Sequence, residues 1–197
     1  MRLHLLLMLN CGFTQTDISD LKPTEVDWDR GRIRRKRCKT EDHENVPVVD
    51  YPLWPETFAL LKVYGRNTGD HALLTESGRS WVRDVLKADG KRSKVDSIKS
   101  NYVHLQRKTK TAFPMKRLRK TAATHLETDR NHARYAPMFL GHAPRSVAER
   151  HYVAPSQRAF DEAVRWLGGE FRFNGPAGPR AAIACAPNSN NEAIESP

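Results

Sequence analysis

The stretch from Glu25 to Tyr51, EVDWDRGRIRRKRCKTEDHENVPVVDY, restricts the fold more than any other part of the chain. Apolar residues elsewhere recur at helical spacing, but here the period changes. Val26 and Trp28, then Ile33, then Val46, Val48 and Val49 predict three short strands, with turns at Asp29–Gly31 and Glu41–Asn45. The expected fold is therefore mainly α with a small three-stranded antiparallel sheet near its start.

The helices are read from the remaining apolar spacing. Residues 3–9 are apolar and helical in character. Residues 16–21, TDISDL, predict a short helix capped by Thr16. WPETFALLKVY restarts a helix, with Pro55 suited to its first turn. Further helices are expected at 78–88, 94–109, 116–128, 133–140, 145–153 and 156–168, the last carrying Phe160, Val164, Leu167 and then Phe171 at helical spacing. From Phe173 on, Pro, Gly, Ala and Asn dominate, which predicts a disordered tail over 173–197 after one domain over 1–172.

Charge narrows the class of partner. The 197 residues include 33 Lys and Arg against 23 Asp and Glu, a net charge of +10, and the pI is ≈ 9.8. That excess favours a polyanion, nucleic acid first. Two runs concentrate it. Residues 30–39 hold seven basic groups and no acid, and residues 91–120 hold eleven and one acid, Asp96. Either run alone reads equally well as a solvated face; two in one small domain shift the balance towards phosphate binding. Cys11, Cys38 and Cys185 have no metal-ligand spacing and fit a reduced, cytoplasmic protein. MRLHLLLMLNC has too short an apolar run for a signal peptide, and Asn10 is a poor residue before a cleavage site. It reads as a core helix whose upstream partner is missing. No apolar run approaches the ~20 residues that cross a membrane.

Two stretches carry candidate chemistry. In PMKRLRKTAATHL (114–126), Lys116 and Arg119 share a helix face, while Leu118, Ala122 and Leu126 form an apolar stripe on another. Cations on the first turn of a helix suit a phosphate, because free N–H groups and the helix dipole add to the attraction; a solvated basic face is the other reading. In LGHAPRSVAERHY (140–152), His142 follows Gly141, and His151 and Tyr152 close the segment. Tyr152 reads either as a packed helix residue or as a nucleophile assisted by a histidine.

KRLRKTAATHL, then LGH, then HY, in that order, resemble the tyrosine recombinase (phage integrase) family, whose members carry a His/Lys-x-x-Arg box, then Gly-His, then a tyrosine nucleophile. The front of the chain agrees. LLLMLNCGFTQTDISDL is similar to the family's opening helix and turn. DWDRGRIRRKRCKTEDHENVPV is similar to its three-stranded sheet, and HALLTESGRSW to the connector that follows. The likeness runs from about residue 3 to 170, and the order and separation of the motifs are more specific than any one of them.

The resemblance implies a site-specific enzyme that cuts and rejoins double-stranded DNA without a metal or cofactor. Tyr152 would attack the phosphodiester, Arg119 would hold the non-bridging oxygens, His142 and Lys116 would hydrogen-bond the phosphate, and Lys39 would protonate the leaving 5′ oxygen. The DNA backbone would meet Arg34, Arg35, Lys36, Arg37, Lys94, Lys99, Arg117 and Lys120. Copies would associate on DNA through the C-terminal helix, in the cytoplasm at the nucleoid.

The chain departs from the family in four ways. The first arginine falls at Thr14, which carries no charge. Lys116 stands where His is commoner. The separation from His142 to Tyr152 is one residue longer than usual, so a slip of one would put His151 in the tyrosine's place. No DNA-clamping domain precedes the catalytic one, so a fragment or truncated product is expected. These departures leave a rival reading, a DNA-binding remnant that has lost cleavage, and a third, a basic helical interaction protein with no DNA role.

Overall fold

Leu3 to Leu9 are apolar almost all round, and a helix of that kind has to be surrounded. The computed structural model describes residues 1–37, 46–86, 90–143 and 156–172. In it Arg2–Asn10 forms helix α1, with Leu3, Leu6, Leu7, Met8 and Leu9 buried. The chain continues through α2 (Gln15–Ser19), a 3-10 turn (Pro23–Glu25) and strands β1 (Val26–Asp27), β2 (Arg32–Lys36) and β3 (Val48–Pro52). Then come α3 (Pro55–Tyr64), β4 (Val82–Leu86), β5 (Arg92–Asp96), α4 (Ser97–Thr109), α5 (Lys116–Thr128), a second 3-10 turn (Ala133–Tyr135), α6 (Ala136–Phe139) and α7 (Gln157–Glu170). Helix α1 sits centrally, packed on α3, α5 and α7.

The three-stranded antiparallel sheet is present, in the order β1-β2-β3. Ile33 lies opposite both Val26 and Tyr51, and Arg35 opposite Val49. The first turn forms at Asp29–Gly31 as expected. The Asp27 carboxylate accepts the Arg30 N–H at 2.8 Å, and Gly31 adopts φ 65°. Asn10, fully buried at the end of α1, ties the sheet to the helices. Its Nδ2 donates to the Pro52 carbonyl at 2.9 Å, and its Oδ1 accepts the Trp54 N–H at 2.7 Å. Both halves of the amide are thereby satisfied, which a buried polar group requires.

Helix α5 has the bounds expected of it, with Ala122 and Leu126 buried. The 133–140 segment is a 3-10 turn followed by the short α6. Three expectations are corrected. The helix expected at 78–88 contains a strand, β4, paired antiparallel with β5 in a separate two-stranded ribbon. The expected 94–109 helix begins only at Ser97, because Asp96 ends β5 and its carboxylate caps α4 by accepting the Lys99 N–H at 2.8 Å. The spacing of Val82, Val85 and Leu86 imitates a helix, but cross-strand pairing decides the outcome. Thr16 is likewise not a cap: α2 starts at Gln15 and is capped by Thr14.

Phe160, Val164 and Leu167 of α7 are completely buried within their own chain. Trp54 Nε1 donates to the Val164 carbonyl at 2.8 Å, and the Tyr51 and Phe160 rings meet edge-on at 5.9 Å. Arg32 pins α7 further, donating from Nη1 and Nη2 to the Asp161 carboxylate at 2.7 and 2.9 Å. The apolar stripe thus has its partner at home. The turn expected at 41–45, the helix at 145–153 and the tail at 173–197 lie outside the described residues. No helix among the described residues is long and apolar enough to cross a membrane.

Candidate active site

Gly12, Phe13 and Thr14 turn the chain from α1 into α2. Gly12 holds φ 64°, and a Cβ there would stand 2.9 Å from the Phe139 ring, so α6 closes directly over the turn. Phe13 meets Tyr51 edge-on at 5.3 Å. Thr14, where the resemblance leads one to expect the family's first arginine, is committed to its own helix. Its Oγ1 donates to Asp17 Oδ2 at 2.6 Å, and the same oxygen accepts the Thr14 N–H at 2.8 Å.

Strand β2 supplies the opposite wall. Side chains alternate along a strand, so Ile33 and Arg35 point inward while Arg34 is exposed. Arg35, grouped by sequence with the DNA-contacting cations, is only 6% exposed. Its Nη1 donates to the Asp17 carbonyl and its guanidinium lies 5.5 Å from the Phe13 ring centroid. Its Nε stands 3.7 Å from Glu25. A buried guanidinium needs such partners to offset its lost hydration. Two residues on, Arg37 runs its stem beneath Gly141, whose Cβ, if it had one, would be 3.3 Å from Arg37 Cβ.

Helix α5 contributes Arg119. Its Nη2 donates to the Leu140 carbonyl at 2.8 Å. Burial, and then the neighbouring Arg37 charge, lower its pKa, while Asp17 and Tyr51 oppose them; a guanidinium stays charged even so. The Arg119–Leu140 bond joins the 114–126 stretch to the Gly141–His142 turn. That turn is itself held by N–H donation from Gly141 to Met138 (2.8 Å) and from His142 to Pro137 (2.9 Å). Arg119, Arg35, Arg37, Asp17, Tyr51, Phe13, Gly12 and Leu140 line one small, partly open recess. The structure therefore brings Arg119, Arg35 and Arg37 together and sets His142 at the edge. Lys116 lies exposed at the start of α5. Lys39, His151 and Tyr152 lie outside the described residues.

The remaining cations do not line the recess. Lys36 is half-buried, and Arg34, Lys94, Lys99, Arg117 and Lys120 are exposed. Lys94, Lys99 and Arg107 border a shallow groove along α4, and the Arg117 guanidinium lies 5.9 Å from the centroid of the Phe113 ring. Sequence reasoning missed the Leu140 carbonyl that anchors Arg119, and no signal marks it, since every residue offers a carbonyl. Tyr51 was also missed. It is buried, its hydroxyl donates to the Phe139 carbonyl at 3.1 Å, and burial drives its pKa far above the ordinary tyrosine range. No group of His, Cys, Asp or Glu among the described residues could hold a metal ion.

Residues 1–158 match the model of the phage integrase family. Among solved structures, the fold is similar to that of the XerA recombinase, at 16% identity and TM-score 0.51, covering 91% of this chain and 58% of that one. It is also similar to the Tn1549 transposon integrase in complex with transposon right end DNA, at 10% identity and TM-score 0.50, covering 86% of this chain and 58% of that one. The chain thus spans 58% of the length of each. No curated protein matches it significantly. The fold and the match over residues 1–158 agree with the motif order read from the sequence, and the chain belongs to the phage integrase family.

Proposed function

We propose that this chain recombines double-stranded DNA at a specific site through a 3′-phosphotyrosine intermediate. The Tyr152 hydroxyl attacks the phosphorus, the P–O5′ bond breaks, and Lys39 passes a proton to the leaving 5′ oxygen. Rejoining reverses these steps from the 5′ hydroxyl of a second strand. Arg119 grips two non-bridging oxygens with its planar fork, and His142 and Lys116 donate as negative charge builds on the phosphate. Supporting this reading above all is the hydrogen bond from Arg119 to Leu140. It draws together the Lys116–Arg119 box and the Gly141–His142 turn, which are far apart in sequence, beside a recess lined by guanidinium groups. The exposed cations Arg34, Lys94, Lys99, Arg117 and Lys120 would follow the DNA backbone.

Copies of the chain would pair on DNA in the cytoplasm, at the nucleoid. Because the α7 stripe is covered by its own core, pairing would use other surfaces.

A second reading is a DNA-binding member that has lost cleavage. It is favoured by Thr14, whose hydroxyl serves as a helix cap where a guanidinium is expected. Trapping on a nicked or phosphorothiolate duplex separates the two. A covalent adduct that disappears in Tyr152→Phe supports strand cleavage; salt-sensitive binding with no adduct supports the second reading.

A further inference from the structure

We propose that Arg37 provides the second guanidinium of the phosphate clamp, from the sheet rather than from the Gly12–Thr14 turn. The inference rests on the function proposed above.

The turn has no cation to offer, because Thr14 Oγ1 is bound to Asp17 at 2.6 Å and Thr14 does not line the recess. Strand β2 and the residue that follows it offer two, Arg35 and Arg37, both lining the recess. Arg35 is the weaker candidate. It is 6% exposed and occupied by the Asp17 carbonyl and the Phe13 ring, so it reads as a positioning residue that holds α2 against the sheet. Arg37 is less buried, and its stem runs beside Gly141, where an added Cβ would stand 3.3 Å from Arg37 Cβ. Gly141 adopts φ 62°, so the turn that presents His142 also makes room for Arg37.

Two further observations point to an anion between Arg37 and Arg119. The Nε of each is buried and has no hydrogen-bond partner among the described residues. Native proteins rarely leave such donors unmade, and phosphate oxygens would complete both. The two guanidiniums also lie close enough for Arg37 to weaken proton binding at Arg119. Like charges held together in a partly buried recess repel, and a phosphate diester between them would relieve that repulsion while accepting both donors. The clamp then takes one guanidinium from α5 and one from the residue just after β2, beside the Gly141–His142 turn.

The test has two readouts on the full chain. The first is single-turnover cleavage of a nicked or phosphorothiolate duplex by the parent, Arg37→Ala, Arg37→Lys and, as a surface control, Arg158→Ala. Arg37→Ala should cleave about 10²–10³ slower while DNA affinity changes by only a few-fold. Arg37→Lys should recover part of the loss, since an ammonium cannot grip two oxygens at once. Arg158→Ala should match the parent. Cleavage by Arg37→Ala within a few-fold of the parent overturns the proposal.

The second readout does not depend on cleavage: the rise in Tm caused by inorganic phosphate, relative to chloride at equal ionic strength. Parent and Tyr152→Phe should respond, and Arg37→Ala and Arg119→Ala should not. If the parent forms no adduct but its phosphate response is lost in Arg37→Ala, the clamp stands and strand cleavage fails. If Arg37→Ala responds like the parent, or if the parent neither cleaves nor responds, the clamp is overturned.

Discussion

Thr14 and Asp17 close on each other at the start of α2. The threonine hydroxyl donates to the carboxylate at 2.6 Å, and the Asp17 N–H returns to the same hydroxyl at 3.3 Å. This is a capping box, built where the family's first arginine is expected. Thr14→Ala should cost about 1 kcal/mol of stability, read by urea unfolding. Thr14→Arg should lose the cap as well. With Arg37 in the clamp, it should not speed cleavage; an increase of tenfold or more would show that the clamp lacks a guanidinium.

Gly12 is under two constraints, its left-handed φ and the Phe139 ring 2.9 Å from any added Cβ. Gly78 is under the first alone, with φ 71° and nothing within 4 Å. Gly78→Ala should therefore cost about 1 kcal/mol for the backbone conformation, and Gly12→Ala distinctly more, because α6 must also move. Equal midpoints for the two variants in urea would mean that α6 yields freely.

His4 is buried in α1 against Trp81, with ring centroids 4.5 Å apart, and burial lowers its pKa to about 4. The folded state holds it neutral, whereas the unfolded chain takes up a proton near pH 6.5. Its contribution is thus complete above about pH 6.5 and is lost as the pH falls towards 4. The full effect is about 3 kcal/mol. His4→Phe should flatten the stability profile between those limits, measured by denaturant unfolding at a series of pH values.

Arg32 bridges β2 to α7, holding Asp161 with two donors and Asp50 with Nε at 2.8 Å. Burial pushes the Asp161 carboxyl up, but hydrogen bonds from Arg32 and Gln157 outweigh it and hold the pKa below the ordinary carboxylate range. That stabilisation is present above about pH 4 and is lost as the pH falls further. Asp161→Ala should destabilise by about 1–3 kcal/mol at neutral pH. The loss should fade in acid, as followed by thermal unfolding.

DNA affinity should fall steeply between about 50 and 200 mM salt as counterions are released. Lys99→Ala should reduce the slope of log K against log salt by about 0.9 if Lys99 neutralises one phosphate. Fluorescence anisotropy with a labelled duplex measures both quantities. A flat dependence would remove DNA from the reading.

The sequence by itself carried most of the architecture. Local periodicity marks α1, α5 and α7, and the break in that periodicity marks the sheet, because both depend on neighbours a few residues apart. The Thr14 cap was legible too: Thr14-Gln-Thr-Asp17 has the capping-box spacing, which Thr16 followed by Ser19 lacks. The β4–β5 ribbon was not legible, since Val82, Val85 and Leu86 fit a helix until the partner strand is known. The motif order named the family, but the residues of the recess came only from the tertiary structure. RIRRKR reads as one solvated charge run, and pairing with β1 and β3 decides that Arg35 turns inward and Arg34 outward. Arg119 gains its place from a carbonyl 21 residues away. Such contacts are made by the assembled chain, and no local pattern of side chains encodes them.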